Sequence, residues 1–504
     1  MSRPRVLRAE WTKFRTVRGW VLATAASALV FVLLLLAGTT ASNGHTQDAP
    51  ALPTDSTGEA VNDNAYLLRR ALTGDGSITV PVTGLTGELA RSPGHTVPGV
   101  TPWAKAGIVV RQSLDQGSSY AAMMVTGAHG VRMQHDFTHD RAGLPGRPST
   151  AAPRWLRLVR AGATVTGYDS TDGVHWNEVG RAHLARLGGT VQVGLFTACP
   201  ASVEPSGSLG GSSPAVATGA FGRVTLGGAW SGGDPRQGWR GMQLGGDAGT
   251  SGSYPQGLSG GFTPTGGGFT VTGAGDIAPV VGGPSLGPAY TVENFLVGTF
   301  AGLIVLTVVA VQFVTGEYRR GLIGTTFAAT PRRGRLLAAK CAVVAAVAFA
   351  VGLLAAAISV PLGVRRAHAT HFVVFTVPHA VELRAILGTG LLLATAAVLA
   401  LALGTLVRRA APAITAVVVT TVLPYLLAIS GALPPSPARW LLRVTPAAGF
   451  ALQQTVPHHS HVLSVYTPPF GYFPLGPWTG YAVLAGWTAL ALASAVLLLR
   501  RRDV

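Results

Sequence analysis

The sequence predicts a membrane all-α bundle of about six transmembrane helices with a large all-β sandwich domain inserted after the first of them. Three observations predict it. Hydrophobic residues make up 48% of the chain and charged residues only 12%, well outside the mixture of a soluble protein. Six runs are apolar over the roughly 20 residues that a spanning helix needs, namely Gly19–Thr39, Phe295–Val314, Ala338–Gly363, Ile386–Val407, Ala411–Leu433 and Tyr481–Leu499. Over residues 44–290 such runs stop, and Gly, Ser, Thr and Pro surround short alternating apolar stretches.

The net charge of +17 invites a nucleic-acid partner until its placement is read. Residues 39–294 hold 16 basic against 17 acidic side chains, and the rest of the chain holds 22 against 4. The excess therefore flanks the apolar runs, where it sets topology and meets anionic lipid, and the chain calls for membrane lipid rather than nucleic acid. Cys199 and Cys341 fall in different environments, so no disulfide or cysteine-based zinc site is available.

Residues 1–43 comprise an amphipathic helix and the first span. Leu7, Trp11 and Phe14 share one helical face and Arg5, Arg8, Thr12 and Arg15 the other, the pattern of a helix lying in the membrane interface. The long basic leader and the lack of a small-residue cleavage site behind Leu36 make the first run a retained anchor. With the amino terminus inside, cytoplasmic segments carry 17 basic residues, and the short outer loops carry only Arg365, Arg366, Arg384, Arg439 and Arg443. Both termini are then cytoplasmic, in a multi-pass protein of the cell membrane whose residues 44–290 are extracytoplasmic.

Within 44–290, strands are expected at Ala106–Arg111, Tyr120–Val125, Trp155–Arg160, Thr164–Tyr168, Gln192–Thr197 and Phe221–Leu226. Asp172-Gly173, ahead of Trp176, suits a positive-φ turn. The Gly-rich residues 203–290 offer one further strand, Phe269–Thr272, and the remainder reads as loops or a linker. Trp103 to Gly107, Arg111, the Trp155–Arg160 run and the Ser170 to Trp176 turn resemble concanavalin-like, laminin-G-type jelly-roll modules over residues 75–230. That resemblance implies a surface for a glycan, a peptide or an envelope partner.

Residues 291–504 hold spans two to six. Between the second and third, Thr315 to Gly321, a short helix over Leu322–Thr330 and Pro331 to Arg335 form a loop bordered by basic residues. Together with Glu10 to Arg18 and the terminal Leu-Arg-Arg-Arg-Asp, it resembles the permease subunits of exporter-class ABC transporters, over residues 1–40 and 291–504. The resemblance implies a homodimer resting on separate cytoplasmic ATP-binding subunits, with residues 315–338 as the coupling loop. It also implies that Glu10, Trp11, Lys13, Arg15, Glu317, Tyr318, Arg319, Arg332 and Arg333 meet the ATPase. The large insert departs from the common short loop, and a plain positive-inside loop would carry the same arginines.

Other chemistry is not supported by the residues. No Gly-x-x-x-x-Gly-Lys loop precedes Lys13, Lys105 or Lys340, the membrane part offers no Gly-x-Ser-x-Gly elbow, and the acids outside residues 39–294 are only Glu10, Glu317, Glu382 and Asp503. The expectation is a chain that is not an enzyme, with no catalytic residue, cofactor or metal. His135 and His139 lack the context of a zinc motif and sit in a β-like region that does not support one shared face; His458, His459 and His461 read as polar loop residues. Span cores almost free of ionisable groups speak against an ion-coupled carrier. Arg439 to Arg443 reads as an outer interfacial helix near Trp478. The rival function is a non-transporting receptor or tether whose β domain binds envelope glycan or a partner protein.

Overall fold

The computed structural model describes residues 3–41, 52–204, 210–232, 238–246, 253–283, 289–319, 321, 333–369, 373–375, 377–430 and 432–501. Its helices are α1 (Arg3–Thr16), α2 (Arg18–Ala41), α3 (Thr299–Arg319), α4 (Arg333–Ala369), α5 (His379–Val407), α6 (Ala410–Thr421), α7 (Leu423–Ile429), α8 (Pro435–Val444) and α9 (Pro477–Arg501). Six stretches of the described residues are long and apolar enough to cross a membrane, and each overlaps a run read from the sequence. The chain is a multi-pass membrane protein carrying a β-sandwich domain. One crossing, Ala410–Ile429, is broken between α6 and α7, where Pro424 in the first turn of α7 supplies no backbone N–H to continue the ladder.

The bundle packs around α5. Its Gly390 lies against Gly352 of α4, where an added Cβ on Gly352 would come within 3.0 Å of the Gly390 Cα, so the two backbones approach as only small residues permit. Gln453, buried, donates from Nε2 to the hydroxyls of Thr299 (2.7 Å) and Thr389 (2.9 Å) and ties α3 to α5 without leaving a polar group stranded. After α8, a buried 3₁₀ stretch, Pro446–Gln453, runs back along α9. Gly480 faces Ala448, Gly449 faces Leu484, and Trp487 Nε1 donates to the Val444 carbonyl at 2.8 Å. α8 itself, read as an outer interfacial helix, packs on α7 and on this 3₁₀ stretch and leaves Trp440 and Val444 exposed.

The face assigned to α1 is corrected. Val6, Glu10 and Phe14 are buried against the bundle, whereas Leu7 and Trp11 are exposed at 43% and 45%. Hydrophobicity alone could not choose between these stripes, because Glu10 is held inside by a partner from a distant helix.

The insert begins with β1 (Val61–Asp63), β2 (Ala65–Thr73), β3 (Gly76–Ser92), β4 (His95–Pro98), β5 (Lys105–Arg111), β6 (Tyr120–Thr126), β7 (Val131–His135) and β8 (His139–Ala142). It continues with β9 (Arg154–Ala161), β10 (Thr164–Ser170), β11 (Asn177–His183), β12 (Thr190–Ala198), β13 (Ser202–Glu204), β14 (Gly211–Ser213), β15 (Ala215–Phe221), β16 (Thr225–Gly228), β17 (Arg240–Leu244), β18 (Gly261–Thr265), β19 (Gly268–Gly273) and β20 (Ile277–Pro279). One sheet runs β17-β2-β12-β5-β6-β7-β8; the other runs β11-β10-β9-β3-β15-β19-β18, with β4 and β16 also on β3. Leu68, Ile108, Val110 and Met123 from the first interdigitate with Val80, Leu156, Leu158 and Val271 from the second.

Most expected strands are present, and Gly173 takes the positive φ (75°) foreseen for its turn, with the Trp155 ring packed where a Cβ would stand. Two expectations fail. Phe221–Leu226 is not one strand: β15 ends at Phe221, Gly222 turns to donate its N–H to the Pro81 carbonyl (2.8 Å), and β16 starts at Thr225. The Gly-rich stretch is not otherwise loop or linker, since β17 and β18 join the expected β19 there and extend the sandwich well beyond residue 230.

Every residue of β5 and β6 is buried, because the sheet's second face is also covered. Two segments cover it, the incoming β1 and the outgoing β20, which pair antiparallel to form a stem. Each is pinned by a charge from one end of β5. Arg111 donates both guanidinium nitrogens to Asp63 (2.8 and 2.7 Å), and Lys105 donates to Asp276 (2.5 Å) and to the Ile277 carbonyl (2.6 Å). Beyond the stem, Ala278 and Val281 pack with Val456, Val462 and Tyr472 from the segment between α8 and α9, and His461 Nε2 donates to the Phe137 carbonyl at 3.0 Å. The sandwich is thereby seated on the end of the bundle opposite the termini.

Asp63→Ala strands the buried Arg111 guanidinium and should cost about 3–5 kcal/mol; scanning fluorimetry of the full chain should register it, with a smaller loss for Asp63→Leu/Arg111→Met. Burial holds the imidazole of His459 down to about 4, helped by its neighbours His461 and His458, and burial likewise lowers His461. Both depressed values lie below the unfolded one near 6.5, so the seating is fully stable above about 6.5 and weakens as pH falls towards 4. The unfolding midpoint should drop over that window, and His459→Gln should flatten the drop.

Candidate functional site

The residues singled out near the termini converge at one end of the bundle. Lys340, the eighth residue of α4, is fully buried and donates to Glu10 of α1 (2.7 Å) and to Glu317 of α3 (2.6 Å). Lys13 of α1 also pairs with Glu317. Two carboxylates and two ammonium groups thus form a neutral cluster that binds three helices at one point, as an apolar setting requires of buried charge. Lys340 lies 4.5 Å over the Phe313 ring, and Phe313 meets Phe14 (5.7 Å) and Trp20 (5.1 Å) edge-on, so the ions sit under an aromatic lid.

Beside the cluster, a cavity of about 1040 Å³ is lined by Lys13, Trp20, Glu317, Tyr318, Arg319 and Arg408 among others. Arg408 ends α5 with a left-handed backbone (φ 60°), its N–H on the Gly404 carbonyl and its guanidinium 5.2 Å above the Tyr318 ring. Arg333, in the first turn of α4, donates to the Leu499 carbonyl near the end of α9 (2.7 Å), a favourable place for a cation. Of the expected residues, Glu10, Lys13 and Glu317 come together; Tyr318 and Arg333 flank them; Trp11, Arg15 and Arg319 lie exposed. Arg332 and the short helix expected over Leu322–Thr330 lie outside the described residues.

Sequence reading missed Lys340, counting it among the positive charges of a cytoplasmic loop. The available signal was its position, a lone lysine within the apolar run Ala338–Gly363. Phe313 and Arg408 carried no comparable signal. The arrangement offers no nucleophile and base; it offers a lock among three helices whose release would leave charges unpaired.

Elsewhere, the β7–β8 hairpin pairs His135 with His139 directly and stacks their rings at 4.3 Å, a shared face that the sequence pattern did not support. No group of three metal-ligating side chains occurs among the described residues. Trp103, Lys105 and Arg111, among the residues that carry the jelly-roll resemblance, are buried.

No protein-family description matches the sequence, and no curated protein matches it. Solved structures do resemble its fold. They include SCP-B, an eqolisin-family peptidase in complex with the tripeptide Ala-Ile-His (8% identity, TM-score 0.25, 44% of this chain and 100% of that one). Scytalido-glutamic peptidase with a transition-state analogue inhibitor is similar at 8% identity, TM-score 0.27 and the same coverage. A variant of the GH43 protein BlXynB from Bacillus licheniformis is similar at 18% identity and TM-score 0.19, over 30% of this chain and 27% of that one. These similar structures are two peptidases and a glycoside hydrolase, and the expectation that the chain is not an enzyme is withdrawn. At these TM-scores the likeness names neither a family nor a reaction for this chain.

Lys340→Met would leave Glu10 and Glu317 buried without their shared cation, and should cost about 3–5 kcal/mol. Lys340→Met combined with Glu10→Gln and Glu317→Gln should lose less than Lys340→Met alone, read as the unfolding midpoint in mild detergent.

Proposed function

We propose that the chain is the membrane-spanning permease subunit of an ABC-type exporter, working as a homodimer and driven by separate ATP-binding subunits. In this reading both termini and residues 315–338 face the cytoplasm, and the sandwich is extracytoplasmic, meeting a glycan, a peptide or an envelope partner. The observation that carries the proposal is the Glu10–Lys340–Glu317–Lys13 cluster. It ties the amphipathic α1 to the last turn of α3 and the start of α4, the two helix ends that flank residues 320–332.

A lever needs that linkage. Force applied by an ATPase to α1 or to the segment between α3 and α4 would pass into two spans at once, because one buried cation holds all three. The seating of the sandwich supports the same reading over a passive tether: stem, ion pairs and the His461 contact join it to the bundle as one body, so helix movement would carry it along.

Purification of the tagged chain from its native membrane in mild detergent should bring down a Walker-motif ATPase identifiable by mass spectrometry. Arg332→Glu/Arg333→Glu should weaken that association. Absence of any ATPase from the wild-type sample would favour the receptor or tether.

A further inference from the structure

At the sandwich-side end of the bundle, a cavity of about 320 Å³ lies between α2, the turn that leads into α3, α7 and residues 468–473. We propose that it binds an organic ammonium group, with Glu293 as the counter-ion and aromatic rings as the walls. This site does not depend on the transport reading, since such a cation can occupy it whether or not anything is moved.

Local structure sets the carboxylate in place. Thr291 opens the 3₁₀ turn Val292–Leu296, its backbone N–H and hydroxyl donating to the Asn294 Oδ1 at 2.8 and 3.0 Å, and Glu293 projects from that turn towards residues 455 and 471. Its Oε2 accepts from the Thr455 hydroxyl (2.7 Å) and its Oε1 from the Thr455 N–H. Gly471 stands beside it with a left-handed backbone (φ 85°), and a Cβ there would come 3.3 Å from Glu293 Oε1. The turn presents a negative group, and the facing loop keeps side-chain bulk away from it.

That charge has no cation of its own. Two hydrogen bonds orient it, and it forms no ion pair with any described residue. Arg384 acts on it only from beyond ion-pair distance; its guanidinium donates to the Gln454 carbonyl and lines a separate cavity with Glu59. No basic side chain is among the described residues that line the Glu293 cavity. A carboxylate at the edge of an apolar bundle calls for a positive partner. The walls select its kind. Phe300, Tyr425 and Phe473 follow one another with ring centroids 4.7 and 6.1 Å apart, and Tyr290 adds a fourth ring to the lining. Rings attract an ammonium that carries carbon substituents, whereas a metal ion would need several oxygen ligands. The volume is at the small end of the range for ligand pockets. With no basic side chain there to meet a phosphate, a soluble amine suits the cavity better than a lipid headgroup.

The test is isothermal titration of the full chain, in neutral maltoside micelles, with benzyltrimethylammonium. Saturable binding is expected, displaced by choline and not by 3,3-dimethylbutan-1-ol, the uncharged isostere of choline. Glu293→Gln should weaken binding about tenfold or more, and Tyr425→Leu about threefold. Phosphatidylcholine added to the micelles should leave binding unchanged; competition by it would keep the ammonium site and assign it to a lipid headgroup. Absence of saturable binding, equal displacement by the alcohol, or undiminished binding to Glu293→Gln would each overturn the proposal. Should that variant fail to elute as a folded particle, the wild-type comparison of choline with its isostere decides.

Discussion

A single buried cation organises the end of the bundle where the chain begins and finishes. Lys340 sits where it cannot be hydrated as a loop lysine would be, so it is retained only because Glu10 and Glu317 reach it from two other helices. The pairing determines which face of α1 turns inward, brings Phe14 onto Phe313, and leaves Leu7 and Trp11 outside. Besides that requirement, α1 is held by Val6 and Phe14 against the bundle and by Lys13 on Glu317.

The sandwich uses the same device for a different end. Arg111 on Asp63 and Lys105 on Asp276 are buried at either end of β5 and hold the incoming and outgoing segments across the sheet. Buried pairs of this sort contribute modestly to net stability, because desolvation offsets attraction, but a mispaired arrangement is severely penalised. They select one seating among several that hydrophobic contact alone would tolerate. Both halves of the protein thus rely on apolar burial for cohesion and on a few charges for alignment.

The spans were legible because twenty consecutive apolar residues admit few other readings. So were β9 and β10, whose alternation matches the pleat and whose turn residues bracket the hairpin. The strands β15, β17 and β18 were not, since Gly and Thr give little hydrophobic signal; they are strands because their backbones complete ladders with β3, with β2 and with β19. Likewise β3 carries Pro81, Gly84 and Gly87, which punctuate the sequence without ending the strand. At the candidate site, Glu10, Lys13 and Glu317 were reached through a family resemblance. Their partner Lys340 was passed over because a window average treats one lysine among alanines as noise, whereas in an apolar setting it demands an anion.

The stem that closes the sandwich also imposes a sequence of events on biosynthesis. Val61 must wait for Pro279, β2 for β12 and β17, and β3 for β15, so the earliest strands of the insert have partners that are among the last to be made. Neither sheet is complete until nearly the whole insert has emerged, and non-local pairing of this kind is slow and leaves unpaired edges exposed meanwhile. When β20 finally zips onto β1, it draws together the chain leaving α2 and the chain approaching α3. Closure of the domain is therefore a late checkpoint on assembly, reached only by a molecule that has already delivered both ends of its insert to the same side of the membrane.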